Sequence, residues 1–452
     1  MTNKPILSIA LIALTVLGLQ NPVLAKDDLA SIYQQALQSD PLLREADANR
    51  LATNESRAQA FSNLLPQVTA GAGYNQSDSR GTSVSEFFPQ GNPNDDSSTS
   101  SSWQLQLQQS LFDWDRWINL KRADKTILKS ELDFDIARQD LIIRVAQSYF
   151  AVLAAQDVLS FEQASKEAIA RQLDQTNTRF EVGLVAITDV QEAQAAYDQA
   201  IASEIDAKRR LALAKENLRE IIGRKAEELA KPKSTFVMGP PSPESENFWV
   251  DTSMEKNLNL LSSRMSAKIA RDDIDSSKTG HYPTLNMSLS RSGSDSDRDD
   301  FINNISSNGA RNSTSVGVQL NVPIYSGGRT SSLVRQSVYQ HRAAIERVER
   351  ITRETERATR DAYLNVLSDV SRVRALAQAV KSSQTALQAT ETGFEVGTRT
   401  TVDVLNSRRS LLDAERNYAQ SRYDYLLNML RLNRASGLLD QSHLNEINSL
   451  LN

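Results

Sequence analysis

The sequence predicts a mixed α and β chain in which long side-by-side helices are joined to short amphipathic strands, the whole plan being laid out twice. Three observations predict it. The stretch FEVGLVAITDV, Phe180 to Val190, returns 214 positions later as FEVGTRTTVDV, Phe394 to Val404. Two runs, 66 residues from Trp117 to Val182 and 64 from Arg329 to Thr392, contain neither glycine nor proline. Upstream of each run lies a segment in which apolar and polar side chains alternate with period two.

In chain order, residues 1–25 carry Lys4, an apolar run from Pro5 through Leu19, and Val23-Leu24-Ala25 with the small-residue spacing of a signal-peptidase site. A signal peptide is expected, with the mature chain starting near Lys26. The apolar run is short for a spanning helix, and no other segment approaches the roughly 20 apolar residues that one needs. The expectation is an exported chain without a membrane helix.

Composition removes several functions. With no cysteine, disulfides, thiolate zinc sites and cysteine nucleophiles are excluded. His281, His341 and His443 are scattered without ligand spacing, so neither a metal nor a cofactor is expected. A net charge of -5 argues against nucleic acid as a partner. No GxSxG, HExxH or P-loop pattern occurs, and the acids fall on solvated helix faces, so no enzyme is expected.

Lys26 to about Leu64 and Ser253 to about Thr279 read as helices that precede two strand pairs at matching distances. Pro41 to Pro66 and Leu258 to Pro283 are both separations of 25. In the first pair, Val68, Ala70, Ala72 and Tyr74 share one side of a strand from about Pro66 to Asn75. Its partner carries Trp103, Leu105, Leu107 and Leu111 on one face, broken only by Gln109, against Gln104, Gln106, Gln108 and Ser110. In the second pair, Leu285, Met287 and Leu289 precede Val316, Val318, Leu320, Val322 and Ile324, which oppose Gly317, Gln319, Asn321 and Pro323. The Ser/Asp/Asn-rich stretches Gln76–Ser100 and Arg291–Thr314 are expected to be loops.

Such strands fit either a half-buried sheet of a soluble domain or an outer-membrane barrel. Polar faces of Gln, Ser, Asn, Thr and Gly are what a water-filled lumen requires. Four strands cannot close a barrel, and an open edge in lipid leaves backbone groups unpaired at several kcal/mol each. A barrel therefore demands a dimer, trimer or larger ring, among which the strands do not choose.

Each glycine-free run would make a helix of roughly 100 Å. In the second, Val366, Val373, Val380 and Leu387 recur every seven residues, with Val370 and Ala377 four after the first two, which is coiled-coil spacing. The runs are expected to stop at Gly183 and at Gly393 with Gly397, where a left-handed C-cap suits glycine. Helices then return from about Thr188 to Gly223 and from about Thr400 to Gly437. Between the halves, Pro232, Pro240, Pro241 and Pro243 mark an irregular crossing.

The segment Lys166 to Val190, ending RFEVGLVAITDV, together with Val396-Gly-Thr-Arg-Thr-Thr-Val-Asp-Val404, resembles the TolC family of outer-membrane channels. The similarity covers essentially the whole mature chain. It implies a homotrimer whose protomers give four strands each to one twelve-stranded transmembrane β-barrel, continuous with a periplasmic α-helical coiled-coil barrel. It also implies an exit duct for efflux and type I secretion, docked through a periplasmic adaptor to an inner-membrane RND or ABC transporter. The expected units are a signal peptide (1–25), a first repeat (26–230), a linker (231–252) and a second repeat with a C-terminal equatorial segment (253–452). The rival is a periplasmic coiled-coil adaptor or scaffold, which would lack the two Gln/Ser-faced strand pairs.

Carried onto this chain, the resemblance places the entrance gate at Thr188, Asp189 and Arg399, and an acidic pore constriction at Asp403. Asn406 stands where the family usually has a second acid, so a trimer would present three carboxylates instead of six. Phe394 replaces a tyrosine whose hydroxyl commonly joins the lock. Gly183 and Gly397 would receive the adaptor tips. Local chemistry offers a plainer account of some of these: Thr188 with Gln191 fits a capping box and Thr400 with Asp403 approximates one. Capping gives no reason for Arg399, because a positive charge is mildly unfavourable at a helix start.

Overall fold

The computed structural model describes residues 27–85, 88–233, 238–300 and 305–451; the expected signal peptide lies outside them. Helices α1 (Leu29–Ser39) and α2 (Pro41–Ser62) lead into strands β1 (Gln67–Ser85) and β2 (Phe88–Phe112), then α3 (Trp114–Glu181) and α4 (Ile187–Ile222). The same order returns in α5 (Glu246–Lys256), α6 (Leu258–Lys278), β3 (Thr284–Asp300), β4 (Ile305–Asn321), α7 (Arg329–Glu395) and α8 (Thr401–Ser436), before α9 (Gln441–Ser449). The two halves also share a joint. Asp40 accepts from Leu43 N–H at 2.8 Å to start α2, and Asn257 accepts from Leu260 N–H at 3.1 Å to start α6.

Two expectations need correction here. Helix α5 begins at Glu246, upstream of Ser253, because Ser245 caps it by accepting from Phe248 N–H. The stretches expected as loops are mostly strand: β1 continues to Ser85 and β2 starts at Phe88, while β3 reaches Asp300 and β4 starts at Ile305. Period-two patterning reports only where one face of a strand meets an apolar medium. Where neither face meets an apolar medium, Ser, Thr, Asn and Asp suffice, because the ladder still pairs the backbone groups.

The strands form one antiparallel sheet in the order β1-β2-β3-β4. Its register aligns Val68, Leu107, Leu289 and Val316 in a row across all four strands. The next side chains, on the opposite face, are Thr69, Gln106, Ser290 and Ser315, with a 2.8 Å contact between the last two hydroxyls. A bulge between Ser110 and Phe112 brings Phe112 beside Leu285. Gln109, the break in the apolar face, donates to Leu64 O at 2.7 Å. The apolar face is uncovered in the protomer, with Val68 62%, Val316 71% and Leu320 63% exposed.

The apolar stretch of β2 from Trp103 to Phe112 is about 30 Å along the strand, which a tilt near 40° reduces to about 23 Å in height. That is the thickness of an outer-membrane apolar band. Exposed Phe112, Trp114, Trp117, Tyr282 and Tyr325 cluster where strands pass into helices, as a girdle at the membrane surface does.

Below the sheet, α3 pairs with α2 over one half of its length and with α4 over the other, and α7 pairs likewise with α6 and α8. Part of α3 is apolar enough to cross a membrane by length and composition, a feature missed in the sequence. It is instead the centre of the core. Leu141, Val145, Tyr149, Phe150 and Leu153 pack there with Ile32 and Tyr33 of α1, Leu426 and Leu430 of α8, and Leu444 of α9. The same cluster takes in Val366 and Val370 of the heptad series; Val373 is also buried, whereas Ala377 faces outward.

Surface charges support the exposed side of α7 locally. Arg350–Glu354, Arg353–Glu349, Arg357–Asp361 and Arg360–Glu356 are pairs four residues apart. Each contributes about 0.3–0.5 kcal/mol.

Candidate functional site: the two interhelical turns

Both FEVG stretches end a long helix. In the first turn, Gly183 adopts φ +74°, and Leu184 N–H bonds Arg179 O at 2.9 Å. In the second, Gly397 adopts φ +78°, and Thr398 N–H bonds Gly393 O at 2.8 Å. These six-to-one bonds satisfy carbonyls that the helix leaves open, and they require a left-handed residue that glycine alone adopts without strain. Nothing lies within 4 Å of where a Cβ would stand on Gly183 or Gly397, so conformation, not crowding, demands glycine.

Gly393 was expected to stop α7, yet the helix runs on to Glu395. The residue has another use. A Cβ there would stand 2.7 Å from Arg399 Cγ, so the arginine stem lies in the groove the glycine leaves. Gly393 O also accepts from Arg399 N–H at 3.2 Å and from the Thr398 hydroxyl at 3.0 Å.

The returning helices begin differently. At α8 the capping box is complete: Asp403 N–H donates to Thr400 Oγ1 at 3.2 Å, and Thr400 N–H donates to Asp403 Oδ2 at 2.9 Å. The Thr400 hydroxyl adds a bond to the same oxygen at 3.0 Å. These donors hold the Asp403 carboxyl below its ordinary pKa, with the backbone N–H of Thr400 foremost and the Arg399 charge contributing least. At α4 the expected Thr188–Gln191 box does not form. The helix starts one residue earlier, at Ile187, with Ala186 as its cap; Asp189 accepts from Ala186 N–H at 3.1 Å, and alanine has no side-chain oxygen to reciprocate.

Within the protomer, the described contacts include no hydrogen bond or ion pair from the Arg399 side chain to Thr188 or Asp189. Asn406 lies on α8 one turn after Asp403, on the same helix face.

Sequence reasoning missed the side chain that does join the two turns. Arg179, in the last turn of α3, donates from Nη1 to Phe394 O at 3.3 Å, and its guanidinium sits 4.4 Å from the centre of the Phe394 ring. Phe394 is 5% exposed and packs with Leu387 and Val404, whereas Phe180, its counterpart, is 41% exposed. A signal existed: 214 positions separate Arg179 from Gly393, so the residue before FEVG is arginine in one copy and glycine in the other.

The family model for outer membrane efflux proteins matches residues 32–224 and 249–438. The chain is 37% identical over 434 residues to outer membrane protein TolC of Vibrio cholerae, covering 96% of each chain. It is 38% identical to TolC of Escherichia coli, covering 94% of this chain and 85% of the relative. The alkaline protease secretion protein AprF of Pseudomonas aeruginosa is 29% identical, with 91% and 85% covered. Among solved structures, CusC superposes with a TM-score of 0.73 at 15% identity over 91% of this chain and 92% of its own, in a match of fold. VceC of Vibrio cholerae superposes at 0.70 and 19% identity over 90% and 96%. With its lipid-type sheet, duplicated helical hairpins and paired glycine turns, the chain belongs to the outer membrane efflux protein family, and is a channel protein of the outer membrane whose helices form a tunnel on its periplasmic side.

Proposed function

We propose that three copies of this chain form one channel, an exit duct for efflux and type I secretion that is gated at its periplasmic end by the α7–α8 hairpin. One observation carries the reading. The four-stranded sheet is apolar on one face and Gln/Ser-lined on the other, and neither face is covered in the protomer. A soluble adaptor or scaffold has no use for such a sheet. Closure into a ring places the apolar face on lipid and the polar face on water, and it pairs the edges of β1 and β4.

In this reading Asp403 lines the constriction, and Arg399 of one copy meets Asp189 and Thr188 of its neighbour. Tips of a periplasmic adaptor dock at Gly183 and Gly397. Both lie in the open, flanked by exposed Val182, Leu184 and Val396, which supply an apolar surface for a helical hairpin. An inner-membrane RND or ABC transporter then feeds the duct.

The test is electrical. Purified oligomer in planar bilayers should conduct, and Arg399→Ser should raise its conductance. A soluble periplasmic monomer would sink the channel reading, and an Arg399→Ser conductance equal to the parent's would remove Arg399 from the gate.

A further inference from the structure

We propose that the apolar face of the sheet carries, at its end away from the helices, a site for the phosphate of an outer-leaflet lipid, centred on Arg291 of β3. It rests on the channel reading above, since only a closed ring turns this face to lipid. Two neighbouring rows of the register meet there: Leu105, Arg291 and Thr314 in one, and Trp103, Gly293 and Asn312 in the next. Leu285, Met287 and Leu289 precede Arg291 on the same face of β3. Arg291 is therefore the first charge beyond the apolar run. It is exposed, and among the described residues it makes no ion pair.

Height decides what it meets. Arg291 lies as many residues from Tyr282 as Trp103 lies from Phe112, about 30 Å along the strand and about 23 Å in height at the same tilt. Tyr282 and Phe112 belong to the girdle on the helix side, so Arg291 and Trp103 both reach the opposite surface of the apolar band, where headgroup phosphates lie. The stagger between strands agrees. Tyr74 pairs with Ser101, farther out than Trp103, and Trp103 pairs with Gly293, farther out than Arg291. On the helix side Phe112 pairs with Leu285, while Tyr282 lies farther in. Both girdles step in one direction across the sheet, as level girdles do on tilted strands.

A lone arginine at a membrane surface is ordinary, because its stem can lie on lipid while its head reaches water. That does not account for what stands beside it. A Cβ on Gly293 would lie 2.3 Å from Trp103 Nε1 and 2.7 Å from Asn312 Oδ1, so the indole and the amide converge over a glycine floor next to Arg291. The guanidinium, the indole N–H, the Asn312 amide and the Thr314 hydroxyl can all donate hydrogen bonds, and neither row contains a carboxylate. A guanidinium matches a phosphate with paired bonds. Farther out on the same face, β3 carries Asp295, Asp297 and Asp299, which repel an anion. The charge reverses beyond Arg291 and leaves one level at which a phosphate is held. A free phosphate gains nothing from the apolar face, whereas a lipid phosphate keeps its acyl chains on Leu105, Met287 and Leu289.

The experiment is native mass spectrometry of the purified oligomer, with diphosphorylated lipid A, the same lipid stripped of phosphate, and inorganic phosphate as probes. The parent should bind the phosphorylated lipid about tenfold more tightly than the stripped one. Arg291→Gln should bring the two to equal affinity, and Arg291→Lys should keep part of the preference. Arg311→Gln is the control: Arg311 pairs with Ser294 on the opposite, polar face, and its loss should leave the preference unchanged. Heat dissociation of each oligomer checks assembly, and the parent's own preference is read without any variant. No preference in the parent, or equal losses in Arg291→Gln and Arg311→Gln, would overturn the site. Displacement of the lipid by millimolar inorganic phosphate would also overturn it, because the site would then take a free anion and not a headgroup. The same preparation is tested in planar bilayers. If it conducts without preferring the phosphorylated lipid, the lipid site alone is wrong; if it does not conduct, the channel reading falls and the site with it.

Discussion

Helix α3 passes through two regions with opposite packing. At the equator it buries Leu141, Ile142, Ile143, Val145, Tyr149, Phe150, Val152 and Leu153; toward the entrance it buries Ala168, Gln172 and Thr176. The tyrosines of the equator are also tied by hydrogen bonds. Tyr149 donates to Ala230 O at 2.7 Å, and Tyr423, stacked on Phe150, donates to Asp157 at 2.6 Å. Asp40, buried beneath α1, takes both Nη atoms of Arg144. A fully buried leucine or phenylalanine contributes about 1.5–3 kcal/mol, several times what an alanine or threonine offers. Because α3 has no break between the two regions, side-chain size, not a hinge in the backbone, grades the seam from heavily to lightly packed.

The sharpest way to break that comparison is at the boundary. Glu162 is buried and paired with Arg416 of α8. Arg416→Met should cost roughly 3–5 kcal/mol by leaving the carboxylate buried and unpaired, and the double variant Glu162→Leu/Arg416→Met should recover most of it. Thermal unfolding of the assembled oligomer measures both. If the single variant is as stable as the parent, Glu162 is not an anchor of the seam.

Next in size are matched truncations. Leu153→Ala at the equator should cost about 2–5 kcal/mol. Leu387→Ala, beside Phe394, should cost less and should raise conductance, because its small cluster can collapse. Equal losses without a conductance change would erase the distinction between the regions.

A smaller effect separates one acidic ring from two. Asn406→Asp should strengthen block of the channel by trivalent cations, since six clustered charges attract such an ion more than three in a narrow neck. Identical block in both proteins would show that the constriction is not at Asp403.

The smallest effect is a pH shift. The Asp403 carboxyl is depressed by its bonds to Thr400, so the stability those bonds add is present above the ordinary carboxylate pKa and lost as pH falls through the lower folded value. Thr400→Ala should cost α8 about 1 kcal/mol of capping. It should also bring the loss of cation block to a higher pH, toward the usual carboxylate range. A block titration that does not move would contradict the bonding seen here.

How far the fold was legible follows from what each pattern reports. Val366, Val370 and Val373 were readable because a packed helix face repeats every three or four residues. The apolar half of each strand was readable because lipid selects every second residue. The Ser/Asp/Asn-rich continuations of the strands carry no period-two signal and looked like loops. Gly393 was misjudged because glycine in a helix usually marks an end, and here it makes room for an arginine stem. Ala186 could not be foreseen as a cap, as it has nothing to cap with; Asp189 supplies the bond from inside the helix. Arg179 was hidden because its partner lies 215 residues away, beyond the reach of any local pattern.

The open edges of β1 and β4 bear on inheritance. No protomer can satisfy its own edges in lipid, so each depends on the backbone of two neighbours, and a fault in one edge strand is shared by the whole ring. In a cell making equal amounts of normal chain and a chain with proline in the lipid-facing part of β4, only about one trimer in eight would be free of the fault. An edge lesion in this protein should therefore behave as a dominant trait, whereas a weakened α9, which packs within its own chain, should be recessive.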